Sequence, residues 1–151
     1  LMIVNGEPFL IEYNVRMGDP ECQTILPKLK TDISKIIDSC VNENLDSVNI
    51  EWYDDKAICI VLCSKGYPEK YINNIEIINL EQIVLENNEY IFHAGTKKDK
   101  LRILSNGGRV LNFVVRSQNF KDGREKAIKL INKLNWNDGF FRKDIGFKVI
   151  K

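Results

Sequence analysis

The residues whose types and spacing suit chemistry lie between Phe9 and Gln23, a stretch that reads FLIEYNVRMGDPECQ. It begins as an apolar strand and then alternates, so that a strand period of two places Glu12, Asn14 and Arg16 on one face. A carboxylate and an amide oxygen two residues apart, followed by a guanidinium, suit a magnesium–phosphate or magnesium–carboxylate site. We therefore predict that Glu12 and Asn14 bind magnesium. The alternative is a polar edge strand whose side chains meet only water.

Three charged residues complete this stretch, and each has two interpretations. Arg16 suits a substrate carboxylate or acyl phosphate, because its planar guanidinium can form two parallel hydrogen bonds. The alternative is an ion pair with Asp19 or Glu21 that stabilises the turn at Gly18. Asp19 and Glu21 can position an amine or accept a proton. A structural role is favoured for both, with Asp19 forming the turn and Glu21 in the first turn of a helix.

Length and composition describe one compact domain, or a small domain with an appendage. The chain has 151 residues, of which 44% are hydrophobic and 28% charged, and its net charge is +1. This charge gives no support to binding of nucleic acid or of an anionic membrane, and the longest apolar run, residues 57–63, is too short to cross a membrane. The four cysteines and single histidine lack the spacing of a zinc site, so we expect reduced thiols in a cytoplasmic protein.

The first 45 residues are predicted to form a hairpin and helices. The segments at residues 1–4 and 9–14 flank a hairpin turn, Asn5-Gly6-Glu7-Pro8. A short helix is expected from Glu21 to Leu26, and a longer one, capped by Thr31 and Asp32, extends to about Val41. Because the chain begins directly in a strand, we expect it to be one piece of a longer protein. A domain boundary is predicted at residues 42–46.

From residue 46 to 151 the pattern predicts a small α+β domain. Alternation predicts a strand at residues 48–52, and an unbroken apolar run predicts a central strand at residues 57–63. A further strand is expected at residues 90–94, and residues 101–104 and 109–116 are expected to pair as a hairpin across Ser105-Asn106-Gly107-Gly108. A helix is predicted at residues 121–134. His93 is interpreted as a packed core or rim residue.

Several segments together resemble the phosphoribosylamine–glycine ligase (glycinamide ribonucleotide synthetase) family of the ATP-grasp superfamily. IEYNVRMGDPECQ is similar to that family's E-x-N-x-R-x-G-D-P-E-x-Q segment. Further segments resemble the family's C-terminal motifs in the same order, namely LPKLKTD at residues 26–32, KGYP at 65–68, FHAGT at 92–96, NGGRVL at 106–111 and FRKDIG at 141–146. The resemblance therefore extends over nearly the whole chain.

The resemblance implies both an architecture and an activity. Residues 1–45 would be the final hairpin and helix of an ATP-grasp domain, and residues 46–151 a small, strand-rich, barrel-like C-terminal domain. The implied reaction joins glycine to phosphoribosylamine at the expense of ATP, through glycyl phosphate, in purine biosynthesis. Glu12 and Asn14 would bind Mg²⁺ or Mn²⁺, Arg16 would be a catalytic residue at the carboxylate or acyl phosphate, and Asp19 and Glu21 would line the substrate cleft.

The resemblance also implies that this chain holds only part of the site. The N-terminal substrate domain and the lobe that grips ATP would come from the same polypeptide or from a companion chain. We therefore expect the 151 residues alone to be inactive as a ligase. Two alternatives remain: another ATP-grasp ligase or carboxylase, and a non-catalytic interaction module with the same fold.

Overall fold

The computed structural model describes residues 1–150, in which eight β-strands and three α-helices are formed. In chain order they are β1 (Met2–Val4), β2 (Glu7–Phe9), α1 (Glu21–Ile25), α2 (Ile33–Val41), β3 (Lys56–Ser64), β4 (Glu89–His93), β5 (Thr96–Asp99), β6 (Arg102–Ser105), β7 (Arg109–Ser117), α3 (Phe120–Leu134) and β8 (Gly139–Phe140). Short 3₁₀ turns lie at Leu26–Lys28, Leu45–Ser47 and Leu80–Gln82. The predicted α+β class is confirmed.

The N-terminal hairpin forms, but its second strand is shorter than predicted. Asn5 and Gly6 adopt φ angles of 53° and 87°, which suit a two-residue hairpin turn between antiparallel β1 and β2. Pairing ends where Phe9 meets Met2. The predicted strand at residues 9–14 is therefore wrong beyond Phe9, because β1 has only three residues to pair with. Alternation in a sequence cannot make a strand that has no neighbour.

The two predicted N-terminal helices are confirmed. α1 begins directly after Pro20, and its last turn continues into the 3₁₀ turn that contains Pro27. α2 begins after Asp32, whose carboxylate accepts a hydrogen bond from the backbone N–H of Ser34 at 2.9 Å. This is the bond that a helix cap supplies to an otherwise unpaired N–H group. The domain boundary at residues 42–46 stays a prediction.

The predicted strand at residues 48–52 is wrong. The segment runs beside residues 28–31, where Trp52 makes one isolated bridge with Leu29. The N–H of Lys30 donates to the carbonyl of Glu51 at 2.9 Å, and the N–H of Glu51 donates to the Thr31 hydroxyl at 2.7 Å. The alternation does not correspond to a buried face, because Ile50 and Trp52 are 38% and 46% exposed.

A four-stranded antiparallel sheet in the order β4–β7–β3–β8 forms the centre of the fold. The predicted central strand at residues 57–63 and the predicted strand at residues 90–94 correspond to β3 and β4 and are confirmed, as is the helix now called α3. α3 packs on one face of the sheet, where buried side chains from both elements form the main hydrophobic core. The core includes Ile60, Leu62, Phe113, Leu130 and Leu134.

The predicted hairpin between residues 101–104 and 109–116 is wrong. β6 pairs instead with β5, whereas β7 pairs with β3 on one side and with β4 on the other. Both edges of β7 are already paired, one with β3 and the other with β4, so no edge is left for β6. The loop between β6 and β7 thus connects two separate sheets.

The C-terminal unit is not a barrel. The four-stranded sheet remains open, with β4 and β8 at its edges, and β5 and β6 form a separate two-stranded sheet. The resemblance had implied a barrel-like domain, and this expectation is corrected for residues 1–150. None of the helices in this part of the chain combines the length and the apolar character needed to cross a membrane.

The second face of the sheet is covered by the N-terminal segment, and Arg116 is one of the residues that link the two. Its guanidinium donates to the carbonyl of Pro27 at 2.8 Å and to the side chain of Asn88. It also stacks on the Tyr53 ring at 3.8 Å and lies 3.6 Å from the Asp55 carboxylate. Since the Arg116 and Asp55 side chains are only 6% and 13% exposed, removing either one leaves a buried charge without its partner.

The α3 core provides a first stability prediction. Leu130→Ala should lower the free energy of unfolding by about 2–5 kcal/mol, because truncation of a buried leucine leaves a cavity. Leu130 is 2% exposed, whereas Leu101, at 90% exposed, provides the control. Leu101→Ala should change the free energy by less than about 0.5 kcal/mol. Equal effects in urea unfolding would contradict the placement of α3 on the sheet.

The Arg116 contacts provide a second stability prediction. Arg116→Ala should lower the free energy of unfolding by about 3–5 kcal/mol, because Asp55 is left buried and uncompensated. Arg102→Ala is the matched control, since Arg102 forms an exposed ion pair with Asp99 and such pairs contribute at most about 1 kcal/mol. If urea unfolding gave the two variants the same loss, Arg116 would not link the N-terminal segment to the sheet.

Candidate functional site

A cleft of about 610 Å³ lies beside the turn that precedes α1. Residues on both sides of this turn line it, together with one residue from the start of β7: Asn14, Arg16, Met17, Gly18, Asp19, Pro20, Glu21 and Arg109. The structure thus brings four of the five predicted site residues to one cavity. The fifth, Glu12, is hydrogen-bonded to Asn14.

Glu12 and Asn14 lie side by side although the strand predicted to align them is absent. The Asn14 amide nitrogen donates to one Glu12 carboxylate oxygen at 3.1 Å, and both side chains are exposed. This bond holds the two side chains next to one another, with the amide nitrogen facing the carboxylate. Carboxylate and amide oxygens are the hard donors that Mg²⁺ prefers. The donor set therefore fits magnesium. It is incomplete, because residues 1–150 contain no group of three or more His, Cys, Asp or Glu placed to hold a metal.

Arg16 makes no ion pair within residues 1–150. Its guanidinium donates only a long, 3.4 Å hydrogen bond to the neighbouring carbonyl of Met17, and the side chain is exposed at the cleft. The ion pair with Asp19 or Glu21, which was the structural alternative, is not formed. The N–H groups of the Arg16 guanidinium are consequently available to a carboxylate or phosphate in the cleft.

Glu21 and Asp19 both have structural contacts at the start of α1. The Glu21 carboxylate accepts a hydrogen bond from the N–H of Gly18 at 3.1 Å, which places a negative charge at the helix N-terminus. The Asp19 carboxylate accepts one from the Gln23 amide at 3.3 Å. These contacts agree with the structural interpretation of the two residues, and both residues also line the cleft.

Arg109 lines the same cleft, and the sequence interpretation missed it. Its guanidinium donates to the backbone carbonyl of Asp19 at 2.9 Å and lies 3.3 Å from the Asp19 carboxylate. The segment at residues 105–109 was interpreted as a turn between paired strands, so an arginine at its end had no assigned partner. The only signal in the sequence was its place in the NGGRVL motif.

Two cysteines on the cleft side of β3 are held in the thiol form. Burial raises the pKa of Cys59 to about 12; the charge of Asp19 adds to this rise, and a hydrogen bond with Thr24 opposes it. Burial also raises the pKa of Cys63, against the lowering effect of the Arg109 charge. Since thiolates are the reactive form, neither residue is suited to act as a nucleophile near neutral pH.

The glycine-containing loops pack against one another beside Arg109. A Cβ atom on Gly95 would lie 2.5 Å from the Arg109 carbonyl, and one on Gly108 would lie 2.0 Å from the Tyr67 ring. The Ser64 hydroxyl donates to the Gly107 carbonyl at 2.8 Å. These glycines are therefore required for close packing. They bring the KGYP, HAGT and NGGR segments together at one end of the sheet.

His93 lies outside the cleft lining. Its Nδ1 is 2.9 Å from the hydroxyl of Thr96, and the side chain is exposed at the end of β4. Of the two parts of the interpretation, core or rim, the structure agrees with the rim: the exposed ring has one hydrogen-bond partner, Thr96.

Comparison with known proteins assigns this chain to a family. A family model described as "Phosphoribosylglycinamide synthetase, C domain" matches residues 57–148. Phosphoribosylamine–glycine ligase of Fusobacterium nucleatum is 41% identical over 97% of this chain, and that of Agrobacterium fabrum is 42% identical over 99%. The matched parts are 34% and 35% of those relatives, so the chain spans about a third of their length.

A solved structure agrees with the sequence relatives. The crystal structure of phosphoribosylamine–glycine ligase from Thermotoga maritima matches 95% of this chain with a TM-score of 0.69 and 29% identity, over 34% of its own length. A chicken protein named trifunctional purine biosynthetic protein adenosine-3 is 36% identical over 99% of this chain and 15% of its own. Since the family model matches more than half of the chain, the chain belongs to the phosphoribosylglycinamide synthetase C-domain family.

Proposed function

We propose that this chain forms the C-terminal part of an ATP-dependent ligase of the ATP-grasp class that joins glycine to phosphoribosylamine in purine biosynthesis. The observation that carries the proposal is the single cleft where Asn14 and Arg16 meet Asp19 and Glu21, with Glu12 bonded to Asn14. The relatives are named for this ligation, and the chain spans about a third of their length. The remainder of the ligase, in the same polypeptide or a companion chain, supplies most of the groups that bind ATP.

Glu12 and Asn14 are the residues that hold Mg²⁺, or Mn²⁺, in this proposal. When bound, the ion neutralises nucleotide phosphate charge and polarises the phosphoryl oxygens. The two side chains offer a carboxylate and an amide oxygen, and the hydrogen bond from the Asn14 amide nitrogen to Glu12 keeps the two side chains adjacent. Two donors would fill only part of the set of oxygen ligands that Mg²⁺ requires, so further ligands would have to come from outside these two side chains.

Arg16 binds the reacting carboxylate. A glycine carboxylate oxygen attacks the γ-phosphorus of ATP, which forms glycyl phosphate and releases ADP. The phosphoribosylamine nitrogen then attacks the acyl carbon, the C–O bond to phosphate breaks, and the nitrogen loses a proton as glycinamide ribonucleotide forms. An unpaired guanidinium suits the negative charge of the carboxylate and of the acyl phosphate that replaces it. Positioning of these groups and neutralisation of their charge together supply most of the rate enhancement in such a transfer.

Asp19 and Glu21 form the side of the cleft that faces the amine. Both carboxylates are anchored at the start of α1, Asp19 by Gln23 and Arg109 and Glu21 by Gly18, so their positions are restricted before any substrate binds. A restricted carboxylate can orient a substrate amine at low entropic cost. The four cysteines are all free thiols within residues 1–150, which is compatible with the cytoplasmic location proposed for the ligase.

Substitution of Glu12 tests the metal site. In the complete ligase, Glu12→Ala should raise the Mg²⁺ concentration needed for half-maximal rate and lower kcat/KM by on the order of 100-fold, because one anionic ligand is lost. Glu125→Ala is the control, since Glu125 is exposed on α3 at the opposite face of the sheet. Initial rates at varied Mg²⁺ provide the measurement. A Glu12→Ala enzyme with unchanged turnover and Mg²⁺ dependence would remove Glu12 from the metal site.

Substitution of Arg16 tests the carboxylate site. Arg16→Ala should lower kcat/KM for glycine by about 10- to 150-fold, since a hydrogen bond to a charged group contributes about 1.5–3 kcal/mol. Arg16→Lys should retain part of the activity, because it keeps the charge without the two-pronged geometry. Lys129→Ala, an exposed cation on α3, is the control. Steady-state rates at varied glycine that showed equal kcat/KM in Arg16→Ala and wild type would exclude this role.

A further inference from the structure

The pairing of β3 with β7 contains one irregularity, and it lies beside the cleft. Leu62 pairs with Leu111, whereas the next residue, Cys63, pairs with Arg109. β7 therefore contains one extra residue, Val110, which has no partner of its own in β3. An extra residue of this kind is a β-bulge, and bulges change the direction in which the neighbouring side chain points.

The bulge decides which face of the sheet carries Arg109. In a regular strand, alternate residues share a face, so Arg109 would lie with Leu111 and Phe113 in the α3 core. Because Arg109 pairs with Cys63 instead, it lies on the opposite face, toward the turn before α1. Its charge acts on the Cys63 thiol, where it opposes the rise in pKa caused by burial. The effect is expected, because Arg109 and Cys63 lie on the same face of the sheet.

On that face, the Arg109 guanidinium holds Asp19 at two points. One nitrogen donates to the backbone carbonyl at 2.9 Å, and the other lies 3.3 Å from the carboxylate. The two residues are 90 positions apart in the chain. A planar guanidinium can make both contacts at once, which the single ammonium group of lysine does poorly.

The segment around Asp19 has few other means of keeping its position. α1 has five residues, too few to be stable as an isolated helix, and residues 10–17 are exposed and outside any sheet. The remaining side-chain contacts of the turn, from Glu21 to Gly18 and from Gln23 to Asp19, are local. They shape the turn without attaching it to the sheet. The following helix, α1, contacts β3 and β7, and its Thr24 is hydrogen-bonded to the Cys59 thiol. In the turn before that helix, Asp19 is attached to the sheet through Arg109.

We propose that Arg109 is a positioning residue for the ligation. It attaches the Gly18-Asp19-Pro20 turn to β7 and thereby fixes the positions of Arg16 and Asn14 in the cleft. The catalytic part of this proposal rests on the proposed function. Its structural part rests on the contacts between Arg109 and Asp19. The Val110 bulge is the feature of the fold that makes the attachment possible.

The experiment compares Arg109→Ala and Arg109→Lys with wild type in the complete ligase, with Arg102→Ala as the control. Arg102 forms an ion pair of similar exposure with Asp99, but that pair lies away from the cleft. Two measurements are made on each variant: amide hydrogen exchange of residues 18–24, and kcat/KM for glycine. Exchange of β3 and β7 amides verifies that each variant is folded.

Arg109→Ala should increase exchange at residues 18–24 by about 5-fold or more, because local opening of the turn becomes easier. It should also lower kcat/KM by about 10- to 100-fold, since a displacement of about 1 Å in a catalytic group has effects of this size. Arg109→Lys should give intermediate values, and Arg102→Ala should match wild type in both. This combination would support the assignment.

Other outcomes would overturn it. If kcat/KM fell while exchange at residues 18–24 stayed at the wild-type value, Arg109 would act on the substrate directly instead of through the turn. If exchange rose while kcat/KM stayed unchanged, the attachment would have no part in the reaction. A wild-type protein that makes no glycinamide ribonucleotide would overturn the proposed function; faster exchange in Arg109→Ala would still support the attachment of the turn.

Discussion

Burial of β7 on both faces is the constraint on which the rest of the structure depends. Residues 110–115 of this strand are buried, so each face of the sheet must be covered by another part of the chain. α3 covers one face with an apolar stripe. α1 contacts β3 and β7. The N-terminal segment covers the second face, and this brings the turn before α1 to the end of β7.

Two arginines of β7, Arg116 and Arg109, form specific contacts with the N-terminal segment. Arg116 holds the segment near Pro27 from a buried position, and Arg109 holds Asp19 from a half-exposed one. Buried and exposed charges have different consequences, because desolvation makes an unpaired buried charge costly while water compensates an exposed one. The first attachment therefore serves stability. The second serves the geometry of the cleft.

The elements that the sequence predicted correctly are those with strong local signals. α2 and α3 follow from helical periodicity and capping, and β3 follows from an unbroken apolar run. The errors, at residues 10–14, 48–52 and 101–104, concern pairing. A strand exists only if another segment lies beside it, and the identity of that neighbour depends on contacts between residues distant in the chain. Local alternation carries no information about such contacts.

The sequence alone determined which residues could do chemistry: a carboxylate, an amide and a guanidinium at fixed spacing before a Gly-Asp-Pro turn. These are properties of residue type and order. Only the tertiary structure decided that Asp19 pairs with Arg109 instead of Arg16, which leaves Arg16 free at the cleft. The reason is the extra residue in β7, which moves Arg109 to the cleft side of the sheet. A bulge depends on the register between two strands, and register arises only when the chain is folded.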